Sequence, residues 1–291
     1  MGNLCSKQVV LAVAKKALPL ILNQLGLNFS LDDWNKYHNQ GTVEQNQSDL
    51  ENLGTDLKKC GTLPTNLKRA VFICCNTYTR PDYSLGVGPM NDSITVATYM
   101  KEIGFTIYFA HNPKSSEFLK YFKHFLSNTS EYLVVYYSGH GASVDDTNGD
   151  EADGKDEALV FDDDFLIDDK LADAIANSGK PSSSIVCLLS DCCHSGSIYD
   201  LDSKVYKGRM PPNVMSLSAA RDSETAKQTN VEGNDQGIFT FYFYKLLSQD
   251  STLSPRGMQA QIGQYLKRFD QNFVIDSTTD SLLNETIFKG H

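Results

Sequence analysis

The sequence predicts an α/β fold, a mostly parallel central sheet with helices on both faces, and three observations lead there. From about Leu67 onward, short apolar runs alternate with helix-like stretches. The runs are largely apolar throughout, as in "RAVFICCN" at 69–76, which suits strands covered on both sides. Polar clusters close several of them, where an open parallel sheet places its ligand site.

Taken in order, "RAVFICCN" is the first strand. "NDSITVATYMKEIG" (91–104) is a helix with Asn91 or Asp92 as its cap and a glycine at its end. "FTIYFAHN" (105–112) is a strand, "SSEFLKYFKHFLSN" (115–128) a helix, and "EYLVVYYSGHG" (131–141) a strand ending in a glycine turn. "DDKLADAIANSG" (168–179) is a short helix, and "SSIVCLLSDCCHSG" (183–196) and "NVMSLSAA" (213–220) are strands. Two helices, at 237–249 and 254–269, and a last strand, "NFVIDST", complete the domain. Residues 27–66 are polar, rich in Asn, Gln, Asp and Gly, and weakly periodic. They read as a loose arm, so the expected division is an N-terminal arm over 1–66 and a folded domain over 67–291.

The formal charge of −10 disfavours a general nucleic-acid binder. Residues 145–169 hold 12 Asp or Glu and one Lys, so the rest of the chain sums to about +1 and the acidity belongs to one segment. Seven cysteines at irregular spacing, two pairs of them adjacent, argue against a disulfide framework. The absence of a CxxC pair leaves a structural zinc site without support.

At the N-terminus, "MGNLCSKQ" offers Gly2 for myristoylation and Cys5 for a second, palmitoyl chain. The apolar run that follows is broken by Lys15, Lys16 and Pro19, too short and too charged to span a bilayer. The expected location is cytoplasmic, held at a membrane surface by acylation; the plainer reading of the run is an amphipathic helix packed on the domain.

Three polar clusters fall at strand ends: the turn leading to Asp92, "SGHG" (138–141) and "SDCCHSG" (190–196). His140, flanked by Gly139 and Gly141, is held at an uncrowded turn, which suits a catalytic base better than a core histidine. A cysteine nucleophile needs such a base or a depressed pKa. Cys192 and Cys193 both qualify by position. Backbone N–H groups of Gly141 and of the nucleophile would form an oxyanion hole.

The segments "YYSGHGAS", "DGKDEALVFDDDFLIDD", "SDCCHSGSIYDL" and "SLSAARDSETA" resemble the metacaspases, caspase-fold cysteine peptidases, over about residues 68–290. The resemblance implies a caspase-like fold, Cys193 as nucleophile and His140 as base. It places Asp92, Ser138 and Asp191 in a substrate pocket. Two carboxylates there would take Arg or Lys before the scissile bond. Pro89 stands where some relatives have a small or cysteine residue lining the pocket, which bears on the pocket's shape but not on its charge.

Alternation along the strand then turns Cys192 away from Cys193 and into packing. EF-hand spacing fails in the acidic stretch. The family match implies calcium (Ca2+) ligands at Asp156, Asp168, Asp169 and Asp200, all hard oxygen donors, and leaves Asp162 to Asp164 as a solvated turn. Basic residues Lys204, Lys207 and Arg209 lie in a stretch suited to self-cleavage.

The expected protein is therefore a calcium-dependent, Arg/Lys-specific cysteine endopeptidase, acting on peptide or protein substrates as a monomer. The alternative is a catalytically silent, lipid-anchored, calcium-responsive adaptor of the same fold, against which the intact His140 and Cys193 argue.

Overall fold

The computed structural model describes residues 42–145, 155–192, 198–201, 205–206, 208–221, 235–267 and 271–289. Ten strands and six α-helices are named here in chain order. They are α1 (Val43–Leu53), β1 (Thr55–Asp56), β2 (Leu67–Cys75), α2 (Gly88–Glu102), β3 (Thr106–His111), α3 (Ser115–Asn128), β4 (Thr129–Ser138), β5 (Gly141–Asp145), β6 (Lys155–Val160), β7 (Phe165–Ile167), α4 (Asp168–Ala176), β8 (Ile185–Asp191), β9 (Val214–Arg221), α5 (Asp235–Gln249), α6 (Pro255–Leu266) and β10 (Gln271–Ser277).

The main sheet runs β1-β3-β2-β4-β8-β9-β10, parallel except for β10, which pairs antiparallel with β9. This is the predicted α/β architecture. β2 is buried at every position but Lys68, as a strand covered on both faces should be. One face is sealed by α3 and α4. Phe118, Phe122 and Phe125 recur at helical spacing on α3, and Phe72 of β2 stacks on Phe125 with ring centroids 5.4 Å apart and packs on Phe118 at 5.5 Å. Leu171, Ala174 and Ile175 of α4 join the same core. On the other side α2, α5 and α6 pack together, α2 against β2 and α5 against β8.

The chain winds from β2 to β3 on one side, then returns past β2 to β4, β8 and β9 on the other. The winding direction reverses between β2 and β4, so a crevice is expected off their carboxyl ends. One row of paired residues crosses the sheet at that end: His111, Cys75, Ser138, Asp191 and Ala219.

Two stretches differ from the expectation. Within 42–66 the chain is not a loose arm. α1 packs on α2, where Asn46 Nδ2 donates to Asn91 Oδ1 (2.7 Å), and β1 extends the sheet beside β3. The folded unit thus starts before Leu67. α1 escaped notice because only Asn46 and Leu50 of its residues are buried, too few to imprint a period. The acidic segment is also more than a loop: β5, β6 and β7 form a small antiparallel sheet.

Candidate active site

β4 delivers its last residue, Ser138, at the crevice, and the chain turns through Gly139 and His140 into β5. Two tyrosine hydroxyls hold that turn. The His140 N–H donates to Tyr78 Oη (2.6 Å), and Tyr78 Oη in turn donates to the Val160 carbonyl (3.0 Å). Tyr137 Oη lies 2.8 Å from both the His140 and the Val160 carbonyls. The Val160 N–H donates back to the His140 carbonyl (3.1 Å).

Tyr78 itself has a left-handed backbone (φ 61°), set by the Asn112 side-chain oxygen accepting the N–H groups of Thr77 (2.8 Å) and Tyr78 (3.1 Å). Its ring lies on the His140 ring with centroids 4.9 Å apart.

Only glycine fits at 139. A Cβ there would stand 2.8 Å from both tyrosine hydroxyls. Gly139→Ala is therefore expected to unseat the His140 turn and lower turnover roughly a hundredfold, with a far smaller change in Tm. Activity within a factor of two of wild type would contradict this account.

The imidazole is oriented as well as placed. His140 Nε2 lies 2.9 Å from the Tyr83 carbonyl, which can only accept, so the proton sits on Nε2. In the neutral ring Nδ1 is then the basic nitrogen. The His140–Val160 bond makes residues 140 and 160 the hydrogen-bonded pair of the β5–β6 ladder. Gly141 and Leu159 are then the non-bonded pair, and the Gly141 N–H turns away from β6.

Ser138 and Asp191 are register partners on β4 and β8, so the fold brings these two residues together. Both are buried, and Ser138 Oγ has no hydrogen-bond partner among the described residues. Thr240 Oγ1 on α5 donates to Asp191 Oδ2 (2.5 Å) and accepts from Tyr136 Oη (2.9 Å). Burial pushes the Tyr136 hydroxyl well above its ordinary pKa, and the carboxylates of Asp191 and Asp92 add to that, so both acids act on one site.

Asp92 is not a helix cap. α2 begins at Gly88, with Pro89 in its first turn, and Asp92 is a buried residue further inside the helix.

Cys193, Gly2, Cys5, Lys204 and Lys207 lie outside the described residues. Cys192 is 3% exposed and packs in the α3–α4 core with Cys74, Tyr137 and Tyr199, the face opposite to Asp191. Arg209 is exposed on the surface, its guanidinium 5.3 Å from the Tyr206 ring centroid.

Among the acids, Asp156 (2% exposed) and Asp168 (3% exposed) lie close together. Burial pushes the Asp168 carboxyl up to about 8, and Glu157 and Asp156 add to it. Asp169 and Asp200 are half-buried, Asp200 with a left-handed backbone (φ 43°). Among the described residues no three His, Cys, Asp or Glu side chains gather closely enough to hold a metal ion. The donor chemistry of Asp156 and Asp168 fits a hard cation that would offset their buried charge.

The expected solvated turn, Asp162 to Asp164, is a turn with Asp163 and Asp164 exposed, and it is also a set of ties. Asp162 accepts from the N–H (2.9 Å) and hydroxyl (3.0 Å) of Thr79, and Asp163 accepts from the Ser115 N–H at the start of α3 (2.9 Å). Asp164 Oδ1 accepts from the Phe165 N–H (2.8 Å). Twelve acids in one stretch concealed which of them would meet exposed N–H groups.

Sequence reasoning also missed Tyr78, Tyr137, Thr240 and the Tyr83 carbonyl. A backbone carbonyl leaves no mark in a sequence, and the tyrosines read as ordinary strand and turn residues.

Residues 67–284 match the family model for the caspase domain, and the chain belongs to that family, in its metacaspase branch. Metacaspase III c of Phaeodactylum tricornutum is 41% identical over 87 residues, which is 28% of this chain and 25% of that protein. Metacaspase-1 of Eremothecium gossypii is 36% identical over 133 residues, 43% of this chain and 28% of that protein. Metacaspase-3 of Arabidopsis thaliana is 30% identical over 136 residues, covering 39% and 37%. The chain thus spans well under half the length of these curated relatives.

Two solved structures share the fold. A Geobacter sulfurreducens protein superposes with a TM-score of 0.54 at 18% identity, covering 76% of this chain and all of the other. The Drosophila initiator caspase Dronc gives 0.50 at 15% identity, covering 74% and 82%.

Proposed function

We propose that this chain is a cysteine endopeptidase that cleaves after Arg or Lys, with Cys193 as nucleophile and His140 as base. The observation that carries the reading is the imidazole held at Nε2 by the Tyr83 carbonyl, on a turn beside the Ser138–Asp191 pair. In the proposed cycle Nδ1 of His140 takes the Cys193 thiol proton, and the thiolate adds to the scissile carbonyl. The Gly141 and Cys193 amides hold the oxyanion. Collapse expels the amine, which leaves with the proton from His140, and water then hydrolyses the thioester.

The buried carboxylates of Asp191 and Asp92 favour a guanidinium or ammonium over an acidic side chain. Asp156, Asp168, Asp169 and Asp200 would hold calcium only by drawing closer than in the described arrangement, where no three of them gather; its charge would then offset the buried carboxylates. Because Asp156 and Val160 share β6, and Val160 is bonded to the His140 turn, order in β6 reaches the histidine. Gly2 and Cys5 acylation would supply a membrane tether; among the described residues no helix is long and apolar enough to cross a membrane. A shift of Gly2→Ala out of the membrane fraction tests the tether, and an unchanged distribution would refute it. A cut after Lys204, Lys207 or Arg209, read by mass spectrometry, tests self-processing.

The reading as a whole is tested by hydrolysis of fluorogenic peptides ending in Arg, Lys or Asp, with calcium and with a chelator. Hydrolysis of the Arg and Lys peptides, lost on chelation, is expected. No hydrolysis under any condition leaves the adaptor. Cleavage after Asp rejects the pocket, and indifference to the chelator rejects calcium.

A further inference from the structure

We propose that Asp162 is a positioning residue for His140. Through residues 79–83 it fixes the Tyr83 carbonyl and with it the tautomer of the imidazole.

The chain of contacts is short. Asp162 sits in the turn between β6 and β7, closed by the Phe161 N–H on the Asp164 carbonyl (2.9 Å). Phe161 is buried against Phe118 (5.3 Å) and Tyr137 (5.9 Å), so the turn is anchored to the core. From there the carboxylate accepts from the Thr79 N–H through both oxygens (2.9 and 3.1 Å), from the Thr79 hydroxyl (3.0 Å) and from the Arg80 N–H (3.4 Å). Arg80 leads into a single 3-10 turn, Pro81–Tyr83, where the Tyr83 N–H donates to the Arg80 carbonyl (3.0 Å). The Arg80 guanidinium covers the Tyr83 ring at 4.3 Å. The Tyr83 carbonyl then meets His140 Nε2 at 2.9 Å.

Residues 79–82 are exposed to solvent, and burial does little to hold them. The four N–H and O–H contacts to Asp162 therefore set where this strap, residues 79–82, lies, while the Tyr83 ring packs on the cluster of Tyr78, Leu85 and Val160. If the strap moves, Nε2 loses its acceptor and a neutral imidazole is free to carry its proton on Nδ1. That is the nitrogen that must be empty to receive a thiol proton. The same hairpin carries Asp163, tied to Ser115 instead, so the two adjacent acids separate the strap from the hairpin's general stability.

The kinetic part of the test rests on the peptidase reading; the spectroscopic part does not. Protein labelled with nitrogen-15 in histidine is measured above the histidine titration range, with the His140 signals assigned by their loss in His140→Ala. Wild type should show the Nε2–H tautomer, Asp162→Ala a mixture with Nδ1–H, Asp162→Asn the wild-type pattern or close to it, and Asp163→Ala no change. In turnover, Asp162→Ala should lower kcat roughly tenfold to a hundredfold with KM within about a factor of two, since the strap affects the base and not the pocket.

An Nδ1–H tautomer in wild type would overturn the proposal, as would an unchanged tautomer in a folded Asp162→Ala. Equal shifts in the Asp162→Ala and Asp163→Ala proteins would do so too. If wild type hydrolyses nothing, the functional reading fails while the tautomer data still decide this one.

Discussion

Cys193→Ala is expected to lower hydrolysis of Arg- and Lys-ended peptides by roughly ten-thousandfold, and Cys192→Ala to leave most of it. On the proposed reading Cys193 supplies the covalent path, and without it His140 would have no thiol to deprotonate. Cys192 is a different residue in the same doublet: it lies in the α3–α4 core beside Cys74, Tyr137 and Tyr199. Truncating it removes one buried sulfur and should cost about 1 kcal/mol of stability, in line with small core cavities. His140→Ala should match Cys193→Ala in turnover, and the double variant should lose little more, because the two act as a unit. The paired assay has a clear failing outcome, an active Cys193→Ala or an inactive but folded Cys192→Ala.

The second large effect is on specificity. Asp191→Asn is expected to reduce kcat/KM for Arg-ended peptides by roughly thirtyfold to a thousandfold, about 2–4 kcal/mol, the usual loss when one partner of a buried charge pair is neutralised. Asp92→Asn should act in the same direction. Asn keeps the shape of the side chain and an oxygen to accept the Thr240 hydroxyl, so the network through Tyr136 survives. Stability should hold or rise, because a buried carboxylate near a second one is removed. Equal losses on Arg-ended and uncharged peptides, with a lower Tm, would instead make Asp191 a structural residue and remove it from the pocket.

Much of the fold was legible because its main strands are nearly all apolar and α3 and α4 carry one clear apolar face. β2 and α3 are the plainest cases, the one buried almost throughout and the other presenting Phe118, Phe122 and Phe125 together. The short α1 and the strands of the acidic segment were not legible. α1 buries two residues, and in β6 the charges of Asp156 and Glu157 mask a strand whose remaining face is apolar. In the site, His140 could be found because glycines flank it at a strand end. The tyrosines around it could not, since their roles depend on which backbone groups come within reach.

The sequence by itself determined the parallel sheet, the strand ends that carry the polar clusters, and the pair of candidate catalytic residues 53 positions apart. The first two follow from local pattern, apolar runs choosing burial and glycines choosing turns; the choice of Cys193 within the doublet is what the resemblance to metacaspases implies. Only the tertiary structure decided that Ser138 faces Asp191 in register, that Asp92 lies inside a helix, and that the Tyr83 carbonyl orients His140. Such contacts join segments distant in sequence, and their geometry exists only once the sheet and its covering helices have closed.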